Sequence, residues 1–429
     1  MQAINIGILG LGTVGSGVIK LIKDHQKKIS GITGRQLVIK RAVVHNPDKK
    51  RNVDLSGITV TTDINDLIND PDIQIVVEVM GTVEIAKDYI ERLLRAGKHI
   101  ITANKDLIAI HGSQLAELAD KNHCDLFYEA SVAGGIPILR TIVSSFAADR
   151  IIEVKGIVNG TTNYILTQMS QNNVSFNEAL KSAQKLGFAE ADPTNDVAGI
   201  DAAYKMIILT QFAFGMNVTL TDIKTTGIQK IELADIKQAE ELGYKIKLLG
   251  IAKLIDKRIS VSVGPVLIPA SQPLAAVQNE NNAVLVTGAA VGETMFYGPG
   301  AGELPTANSV LSDIIAVTKD IVMKTTGSRF NEFSQEGKTA SKENVFYPYY
   351  ISLKVKDRPG QMLKITRIMS EINASFHLII QTELDEENAR VVMTTHQVSE
   401  SQLDAILNGI SKLKEISVIA AYKILPGQQ

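Results

Sequence analysis

The first third of the chain alternates short, almost wholly apolar runs with longer amphipathic segments. β-Branched residues concentrate in the short runs, and apolar residues recur every three to four positions in the longer ones. Strands that are apolar on both faces are buried on both sides, so this alternation predicts a parallel sheet covered by helices. The predicted strands are Ala3–Leu9, Leu37–Val44, Asp72–Val79, Lys98–Ala103 and Asp125–Glu129, and the predicted helices are Thr13–Lys28, Ile85–Ala96 and Ser113–Asn122.

Two further patterns follow. After Gly134 strands and helices mix irregularly, which is typical of an α/β domain with a mixed sheet, and from Tyr349 the order becomes β-α-β-β-α-β, the ferredoxin-like unit. The mixed segment is predicted to contain the strands Ile151–Val158, Lys247–Leu254, Arg258–Val266 and Ala283–Ala290 and the helices Tyr164–Gln171, Phe176–Leu186 and Gly199–Phe214, and a long helix, Thr306–Val322, is predicted after it. The last unit is predicted to contain Tyr349–Val355, Gly360–Ile372, His377–Leu384, Ala389–His396, Glu400–Lys412 and Ile416–Ile424.

These patterns predict three domains. A doubly wound, Rossmann-type parallel sheet occupies 1–134, a mixed α/β domain occupies 135–305, and a ferredoxin-like domain occupies 348–429 after a polar linker over 326–347. The helix within 306–325 is expected to return to the first domain.

Composition and charge exclude several classes of protein. With 44 basic and 46 acidic side chains, no basic surplus indicates nucleic acid or an anionic membrane as a partner. No apolar run reaches the roughly 18–20 residues of a membrane span, and the N-terminus lacks the layout of a signal peptide. The single cysteine, Cys124, excludes an internal disulfide, and the seven histidines show no metal-ligand spacing. A cytoplasmic protein is expected.

A glycine-rich turn follows the first strand directly and opens the first helix. It reads Gly10-Leu11-Gly12-Thr13-Val14-Gly15, which fits G-x-G-x-x-G. In this context the glycines permit a tight turn, close approach of the backbone to a pyrophosphate, and close packing of the helix. The turn therefore predicts a nicotinamide dinucleotide. No acidic residue ends the second strand to meet the ribose hydroxyls of NAD, and Lys49-Lys50-Arg51 follow closely and could meet a 2′-phosphate, which favours NADP. The alternative is a solvated basic loop without a cofactor contact, so NAD stays open.

A second glycine cluster, Gly298–Gly302, comes just before a predicted helix start. Such a cluster suits either a further contact with the cofactor, through Gly302, or a hinge between domains, and the two functions are compatible.

A polar cluster within 190–205 carries the candidate chemistry. Asp201 and Lys205 are four residues apart on a helix whose other positions are mostly apolar, and Glu190 and Asp196 lie just upstream. Buried charges need partners or a task, so these carboxylates and the lysine are expected to bind an ammonium and a hydroxyl group and to move a proton. Lys105 is the second candidate, because it ends a strand where doubly wound sheets bind ligands. The residues leave open which lysine transfers the proton.

At these residues the chain resembles the homoserine dehydrogenase family. The resemblance covers about residues 3–325 and is most specific over 183–205, and Thr102–Lys105, Asn159–Asn163 and Gly300–Thr306 also resemble family segments. It implies a reversible, NAD(P)-dependent interconversion of L-homoserine and L-aspartate 4-semialdehyde in threonine, methionine and isoleucine biosynthesis. No kinase-like segment precedes residue 1, so the chain resembles the monofunctional form.

The resemblance also implies a role for each site residue. Lys205 would donate the proton to the carbonyl oxygen, Lys105 would lie by the nicotinamide, Glu190 and Asp201 would hold the substrate, and Asp196 would support them. A monovalent cation such as sodium would be bound by backbone carbonyls at Glu129, Val132, Gly134 and Ile136. One departure from the family pattern, at 80–84, puts the cofactor contact of that loop in doubt.

The C-terminal segment resembles an ACT domain, with Asp357, Pro359 and Gly360 in its first turn and Asn373 closing its first helix. ACT domains bind amino acids where two copies meet, which implies feedback inhibition by threonine; the alternative is a dimerisation module without a ligand. A homodimer or a homotetramer is expected.

Two other functions remain open at this point. One is a dehydrogenase that acts on a different small amino or hydroxy acid. The other is a non-enzymatic sensor in which a dinucleotide domain and a ligand domain control a partner.

Overall fold

The structure is a computed structural model that describes residues 3–427. Its strands are β1 (Ala3–Leu9), β2 (Gln36–Val43), β3 (Thr59–Thr61), β4 (Ile73–Glu78), β5 (His99–Thr102), β6 (Leu126–Phe127), β7 (Ile151–Ile157), β8 (Lys224–Thr225), β9 (Tyr244–Ile255), β10 (Arg258–Pro269), β11 (Asn281–Gly288), β12 (Gly292–Pro299), β13 (Phe346–Tyr347), β14 (Tyr349–Lys356), β15 (Phe376–Asp385), β16 (Asn388–Thr395), β17 (Val398–Ser399) and β18 (Ile416–Ile424). Its helices are α1 (Thr13–Thr33), α2 (Asn65–Ile68), α3 (Glu84–Arg95), α4 (Lys105–Lys121), α5 (Ile138–Ser145), α6 (Gly160–Asn172), α7 (Phe176–Lys185), α8 (Thr194–Val197), α9 (Ile200–Phe214), α10 (Leu233–Glu241), α11 (Glu303–Met323), α12 (Gln361–Glu371) and α13 (Glu400–Ser411).

The chain divides into two compact units. The described part of the first unit comprises 3–151, 204–220 and 282–336, and that of the second comprises 152–203, 221–281 and 337–427. The division therefore follows the spatial grouping of segments that are distant in the sequence. The domain boundaries drawn from the sequence at 134, 305 and 347 stay predictions.

A six-stranded parallel sheet forms the centre of the first unit, with the order β3-β2-β1-β4-β5-β6. The strands in its middle are buried on both faces, as their mostly apolar sequences predicted: Ile6, Ile8, Val76 and Val77 have no exposed surface. Helix α11 packs on α1 so closely that a Cβ at Gly17 would lie 2.9 Å from Ala307 Cβ. The predicted parallel, Rossmann-like sheet is confirmed.

Several elements of the first unit differ from their predictions. Helix α4 begins at Lys105 and not at Ser113, because the side chain of Asn104 accepts a hydrogen bond from Leu107 N at 3.2 Å and caps the helix there. The strand predicted over 125–129 keeps only two residues and gives way to a 3₁₀ turn. The elements β3, α5 and β12 had no counterpart in the sequence interpretation.

A mixed sheet forms the centre of the second unit, and within that unit its order is β7-β9-β10-β18-β14-β16-β15. Strands β9 and β10 form a long hairpin whose turn residues, Asp256 and Lys257, both have positive φ angles (47° and 64°), as a tight two-residue turn requires. Strand β18 then pairs with β10 in parallel through Val266 and Leu267. The predicted mixed sheet is confirmed, and the C-terminal strands continue it.

The C-terminal segment has the predicted β-α-β-β-α-β order, formed by β14, α12, β15, β16, α13 and β18. Its four strands lie in the order β18-β14-β16-β15, and its own core includes Ile351, Leu353, Ile365, Ile406 and Ile410, all without exposed surface. Over residues 3–427, no helix is long and apolar enough to cross a membrane.

Candidate active site

The glycine-rich turn between β1 and α1 has the backbone geometry that a dinucleotide needs. Gly10 has a φ of +99°, and a Cβ at Gly15 would lie 2.2 Å from Gly10 O, so both positions require glycine. Around Gly12, by contrast, the space that a Cβ would enter is open, and Gly12 is the N-cap of α1. The turn therefore presents free backbone N–H groups and the positive end of a helix dipole to an open surface, which fits a pyrophosphate.

The basic loop after β2 is organised by Arg51. Its guanidinium donates hydrogen bonds to three backbone carbonyls, Asn46 O at 2.7 Å, Lys49 O at 2.8 Å and Pro47 O at 3.3 Å. Arg51 is half-buried, whereas Lys49 and Lys50 are exposed. Of the three basic residues that the sequence singled out, Arg51 thus fixes the loop, and the two lysines are the ones available to a ribose phosphate.

A chain of hydrogen bonds fixes Lys105 at the start of α4. The buried Glu78 carboxylate accepts a hydrogen bond from Thr102 Oγ1 at 2.5 Å, and Thr102 Oγ1 accepts one from Asn104 N at 3.0 Å. The Asn104 amide in turn donates to Thr82 O at 2.7 Å, which ties the loop after β4 to the same point. Burial raises the pKa of Glu78. These residues place Lys105 at the carboxyl edge of the parallel sheet, where such sheets bind ligands.

The second glycine cluster ends at the N-cap of α11. Gly302 has a φ of 122° and a ψ of 158°, a conformation that is essentially confined to glycine. Glu303, the first residue of α11, forms an ion pair with Lys20 of α1 at 2.6 Å. Gly302 thereby lies on a helix start that is fixed against the helix of the dinucleotide turn.

The loop over 129–136 lies beyond the carboxyl end of β6 and is tightly constrained. Gly134 has a φ of +40°, and a Cβ there would lie 2.4 Å from Gly300 O. The Ser309 hydroxyl donates to Gly134 O at 2.6 Å, and Ile136 O accepts a hydrogen bond from Ile138 N at 2.9 Å. Within residues 3–427 no group of His, Cys, Asp and Glu side chains is arranged to hold a metal.

An ion pair between Asp313, which is buried, and Arg140, which is partly exposed, supports the same loop. The Asp313 carboxylate is bonded to the Arg140 guanidinium and accepts a hydrogen bond from Glu129 N at 2.8 Å. The Glu129 carboxylate accepts hydrogen bonds from Leu139 N and Arg140 N, each at 2.8 Å, at the start of α5. Burial raises the pKa of Asp313 to about 7. The site residue Glu129 is thus held at its backbone and at its side chain.

In the second unit, Asn159 joins two of the predicted substrate carboxylates. Its Nδ2 donates to Asp196 Oδ1 at 2.7 Å and to Asp201 Oδ2 at 2.8 Å. Its Oδ1 accepts hydrogen bonds from Thr162 and caps α6, so the amide cannot rotate freely. Because both carboxylates share one amide and Asp201 is buried, negative charge is concentrated at this point, which suits a cationic or hydroxylic ligand.

Two other predicted residues, Lys205 and Glu190, are more exposed than Asp201. Lys205 follows Asp201 by one turn on α9 and is half-buried, and the rest of that helix is almost wholly buried, as its apolar sequence predicted. Glu190 is exposed, and Asp192 is engaged in holding Thr194 through its N and its Oγ1. The structure therefore joins Asp196 and Asp201 through the Asn159 amide, whereas the Glu190 side chain is exposed.

The predicted effector turn borders a cavity of about 480 Å³ in the C-terminal segment, lined by Asp357, Pro359 and Gly360. Asn373 lies at the far end of α12 and does not line that cavity. Cys124 is buried, and burial raises the pKa of its thiol to about 11, which agrees with its interpretation as an incidental small residue.

Sequence reasoning missed two polar residues that organise these sites. Glu78 is the only charged residue in the apolar run of β4, and that anomaly could have indicated it. Asn159 lies in a segment that resembles the family, but the sequence assigned it no role, because its partners are 37 and 42 residues away in the sequence. The first unit contains a turn suited to a dinucleotide, and the second contains a pair of carboxylates suited to a polar ligand; these are the kinds of groups that a nicotinamide-dependent oxidoreductase uses.

Comparisons with known proteins agree with this chemistry. Residues 10–129 match the family model described as "Homoserine dehydrogenase, NAD binding domain", and residues 137–315 match the model described as "Homoserine dehydrogenase". The chain is 48% identical over 427 residues to a homoserine dehydrogenase of Bacillus subtilis, and the match covers 99% of each protein.

Solved structures give the same result. A crystal structure of a homoserine dehydrogenase from Thiobacillus denitrificans is similar with a TM-score of 0.94 and 37% identity, covering 99% of each chain. A hyperthermophilic archaeal homoserine dehydrogenase in complex with NADPH is similar with a TM-score of 0.62 and 25% identity, covering 74% of this chain and 98% of that one.

Proposed function

This chain belongs to the homoserine dehydrogenase family, the NAD(P)-dependent oxidoreductases that act on a CH–OH group, and on that premise we propose how its residues perform the reaction. In the physiological direction the substrate would be L-aspartate 4-semialdehyde. The bound dinucleotide supplies the hydride. The residues of the chain bind the substrate and deliver one proton to its carbonyl oxygen, which yields L-homoserine.

Each candidate residue has one role in this proposal. Lys205 donates the proton to the carbonyl oxygen, and Lys105, fixed by the Glu78 network, stabilises the same oxygen from the nicotinamide side. Asp201 and Glu190 bind the ammonium and hydroxyl groups, and Asp196 supports Asp201 through the shared Asn159 amide.

The Asn159-linked carboxylate pair is the observation that carries the substrate assignment, because its concentrated negative charge selects an amino group. The test is the loss of NADPH absorbance with L-aspartate 4-semialdehyde against a panel of aldehydes without an amino group. Turnover should require the amino aldehyde. Equal turnover of the plain aldehydes would favour a different dehydrogenase, and tight NADPH binding with no turnover would favour a sensor.

We propose NADP as the preferred cofactor, supported by the exposed lysines of the loop that Arg51 organises. Lys50→Ala should raise KM for NADPH by about threefold and leave KM for NADH nearly unchanged, since an exposed charge contributes little in water. Steady-state kinetics with both cofactors would measure the ratio. Lys28→Ala, which removes an exposed lysine of α1, is the control, and an equal change in both KM values would contradict the role of Lys50.

The four carbonyls at Glu129, Val132, Gly134 and Ile136 remain our proposed sodium-type cation ligands. The constrained loop supports this, because Gly134 is held in a left-handed conformation between Ser309 and Gly300.

We also propose that the C-terminal segment is an ACT domain and that threonine binds to it and inhibits the enzyme. Threonine should lower the rate and raise the thermal midpoint, and Asp357→Ala should reduce both effects because Asp357 lines the cavity. Rate and midpoint would be measured with and without threonine. Glu371→Ala, at the other end of α12, should respond like the wild type. The prediction fails if threonine changes neither rate nor midpoint of the wild-type enzyme.

The wider setting is part of the same proposal. The reaction would serve threonine, methionine and isoleucine biosynthesis in the cytoplasm, and the enzyme would be a homodimer, or a homotetramer joined by paired ACT domains. Light scattering after size exclusion would give the oligomer size.

A further inference from the structure

A second, smaller cavity lies in the second unit, where β10 meets the C-terminal strands. Its volume is about 60 Å³, and residues of β10, β14, α13 and β18 line it together with the segment at β8. This space suits one or two waters or a small oxyanion and excludes a nucleotide. It shares no residue with the effector cavity around Asp357.

The polar side chains around this cavity all carry hydrogen-bond donors. Lys224 and Lys423 contribute ammonium groups, and Thr226, Ser262 and Tyr349 contribute hydroxyl groups. In the described chain, no carboxylate is among the residues that line it. A lining of donors without carboxylates favours an anionic ligand.

The hydroxyl of Tyr349 gives an independent indication of a ligand. Tyr349 is only 2% exposed, and within residues 3–427 its buried hydroxyl has no hydrogen-bond partner. Leaving such a group unpaired is unfavourable, so buried hydroxyls are normally bonded to protein, water or ligand. Because Tyr349 lines the cavity, the cavity is where that partner would lie.

Carboxylates outside the lining hold the two lysines of the cavity, and Lys342, which does not line the cavity, contacts one of these carboxylates as well. Lys423 pairs with Glu400 at 2.8 Å and donates to Ser262 Oγ at 2.9 Å. Lys224 and Lys342 both pair with Asp404, at 3.5 Å and 2.7 Å. Three lysines thus share two carboxylates.

We propose that this cavity binds a small oxyanion, either an inorganic phosphate or the carboxylate of a small metabolite. The ligand would contact β10 through Ser262 and β18 through Lys423, two strands that pair at only two positions, Val266 with Lys423 and Leu267 with Ile424. Binding would therefore strengthen the pairing of β10 with β18, through which the C-terminal segment continues the mixed sheet.

The test is a thermal-shift titration of the full chain with saturating NADP, which keeps phosphate from the dinucleotide turn. Inorganic phosphate, acetate and L-threonine would be compared at constant ionic strength set with chloride.

Tyr349→Phe should leave the unliganded midpoint equal or higher, because it removes an unpaired hydroxyl, and should weaken oxyanion binding roughly tenfold. Lys224→Met, at a half-exposed position, should weaken binding without loss of folding. Tyr350→Phe, next in the same strand, should bind like the wild type.

The three titrations distinguish a phosphate ligand from a carboxylate ligand. A Tyr349-dependent shift with phosphate alone identifies a phosphate site, and one with acetate or threonine identifies a carboxylate site. A threonine shift that depends on Asp357 and not on Tyr349 belongs to the effector turn and overturns the carboxylate form of the proposal. If no oxyanion shifts the midpoint beyond the chloride control, or if Tyr349→Phe and Lys224→Met respond as the wild type does, the site does not exist.

Discussion

Lys205→Ala is expected to lower kcat for NADPH-dependent reduction of L-aspartate 4-semialdehyde by roughly 10²- to 10⁴-fold, the usual contribution of a positioned general acid. The carbonyl oxygen gains a negative charge as the hydride arrives, and without a proton donor that charge must be neutralised by water. The dinucleotide turn at Gly10–Gly15 does not involve Lys205. NADPH affinity, measured by fluorescence titration, should therefore remain within about twofold of the wild-type value.

Lys105 provides the matched comparison. If Lys105→Ala reduces kcat and also weakens NADPH binding while Lys205→Ala affects kcat alone, the two lysines have the separate roles proposed here. A Lys205→Ala enzyme that retains near wild-type kcat would make Lys205 structural and Lys105 the proton donor. Loss of NADPH binding in Lys205→Ala would instead indicate that the change disturbs the buried helix α9.

The features that sequence reasoning predicted well depend on local chemistry. The turn over Gly10–Gly15 follows from the conformational needs of three glycines, and the buried strands β1 and β4 follow from runs that are mostly apolar. The β-α-β-β-α-β order after Tyr349 follows from periodicity alone. Each of these signals is complete within about ten to twenty residues.

The features that sequence reasoning missed depend on partners distant in the sequence. Helix α4 starts eight residues earlier than predicted because Asn104 is fixed by Thr102, which is bonded to Glu78 on another strand. Asn159 joins Asp196 and Asp201 only once α6 and α9 are folded. Polar networks of this kind combine groups whose spacing in the sequence carries no periodic signal, so only the folded chain identifies them.

The Arg140–Asp313 pair is the clearest case, since 173 residues separate its members. Asp313 has no exposed surface, and Arg140 is about one-third exposed; its guanidinium lies over the rings of Phe127 and Phe330, at 5.4 Å and 5.1 Å from their centroids. Desolvation alone would drive Asp313 to the neutral form. Arg140 opposes this effect, and the pKa of Asp313 is still raised to about 7. The carboxylate therefore depends on Arg140 for its charged form.

Arg140→Met is accordingly expected to destabilise the protein by about 3 kcal/mol at pH 8, the order of cost for breaking a buried ion pair on one side. Methionine retains the apolar contact with the two rings, so the loss reports the charge. A folded-state pKa above the unfolded value means that the native state binds more protons, and stability falls as pH rises from about 4 through the folded pKa. Removing Arg140 raises the pKa of Asp313 further, so the difference in the free energy of unfolding between the variant and the wild type should widen above pH 7. Urea denaturation at pH 6 and pH 9 would measure it.

Two further variants test whether the loss of charge, and not the loss of packing, destabilises Arg140→Met. Asp313→Asn in the Arg140→Met background keeps a carbonyl oxygen for Glu129 N and removes the buried charge, so it should recover much of the stability lost at pH 9. Arg95→Met breaks an exposed pair with Glu91 and should cost under about 0.5 kcal/mol at either pH. If Arg140→Met loses the same stability at both pH values and the second substitution restores none of it, the role of Arg140 is packing against Phe127 and Phe330. The carboxylate that holds Glu129 N would then be stable without a counter-charge, and the loop over 129–136 would keep its position in the variant.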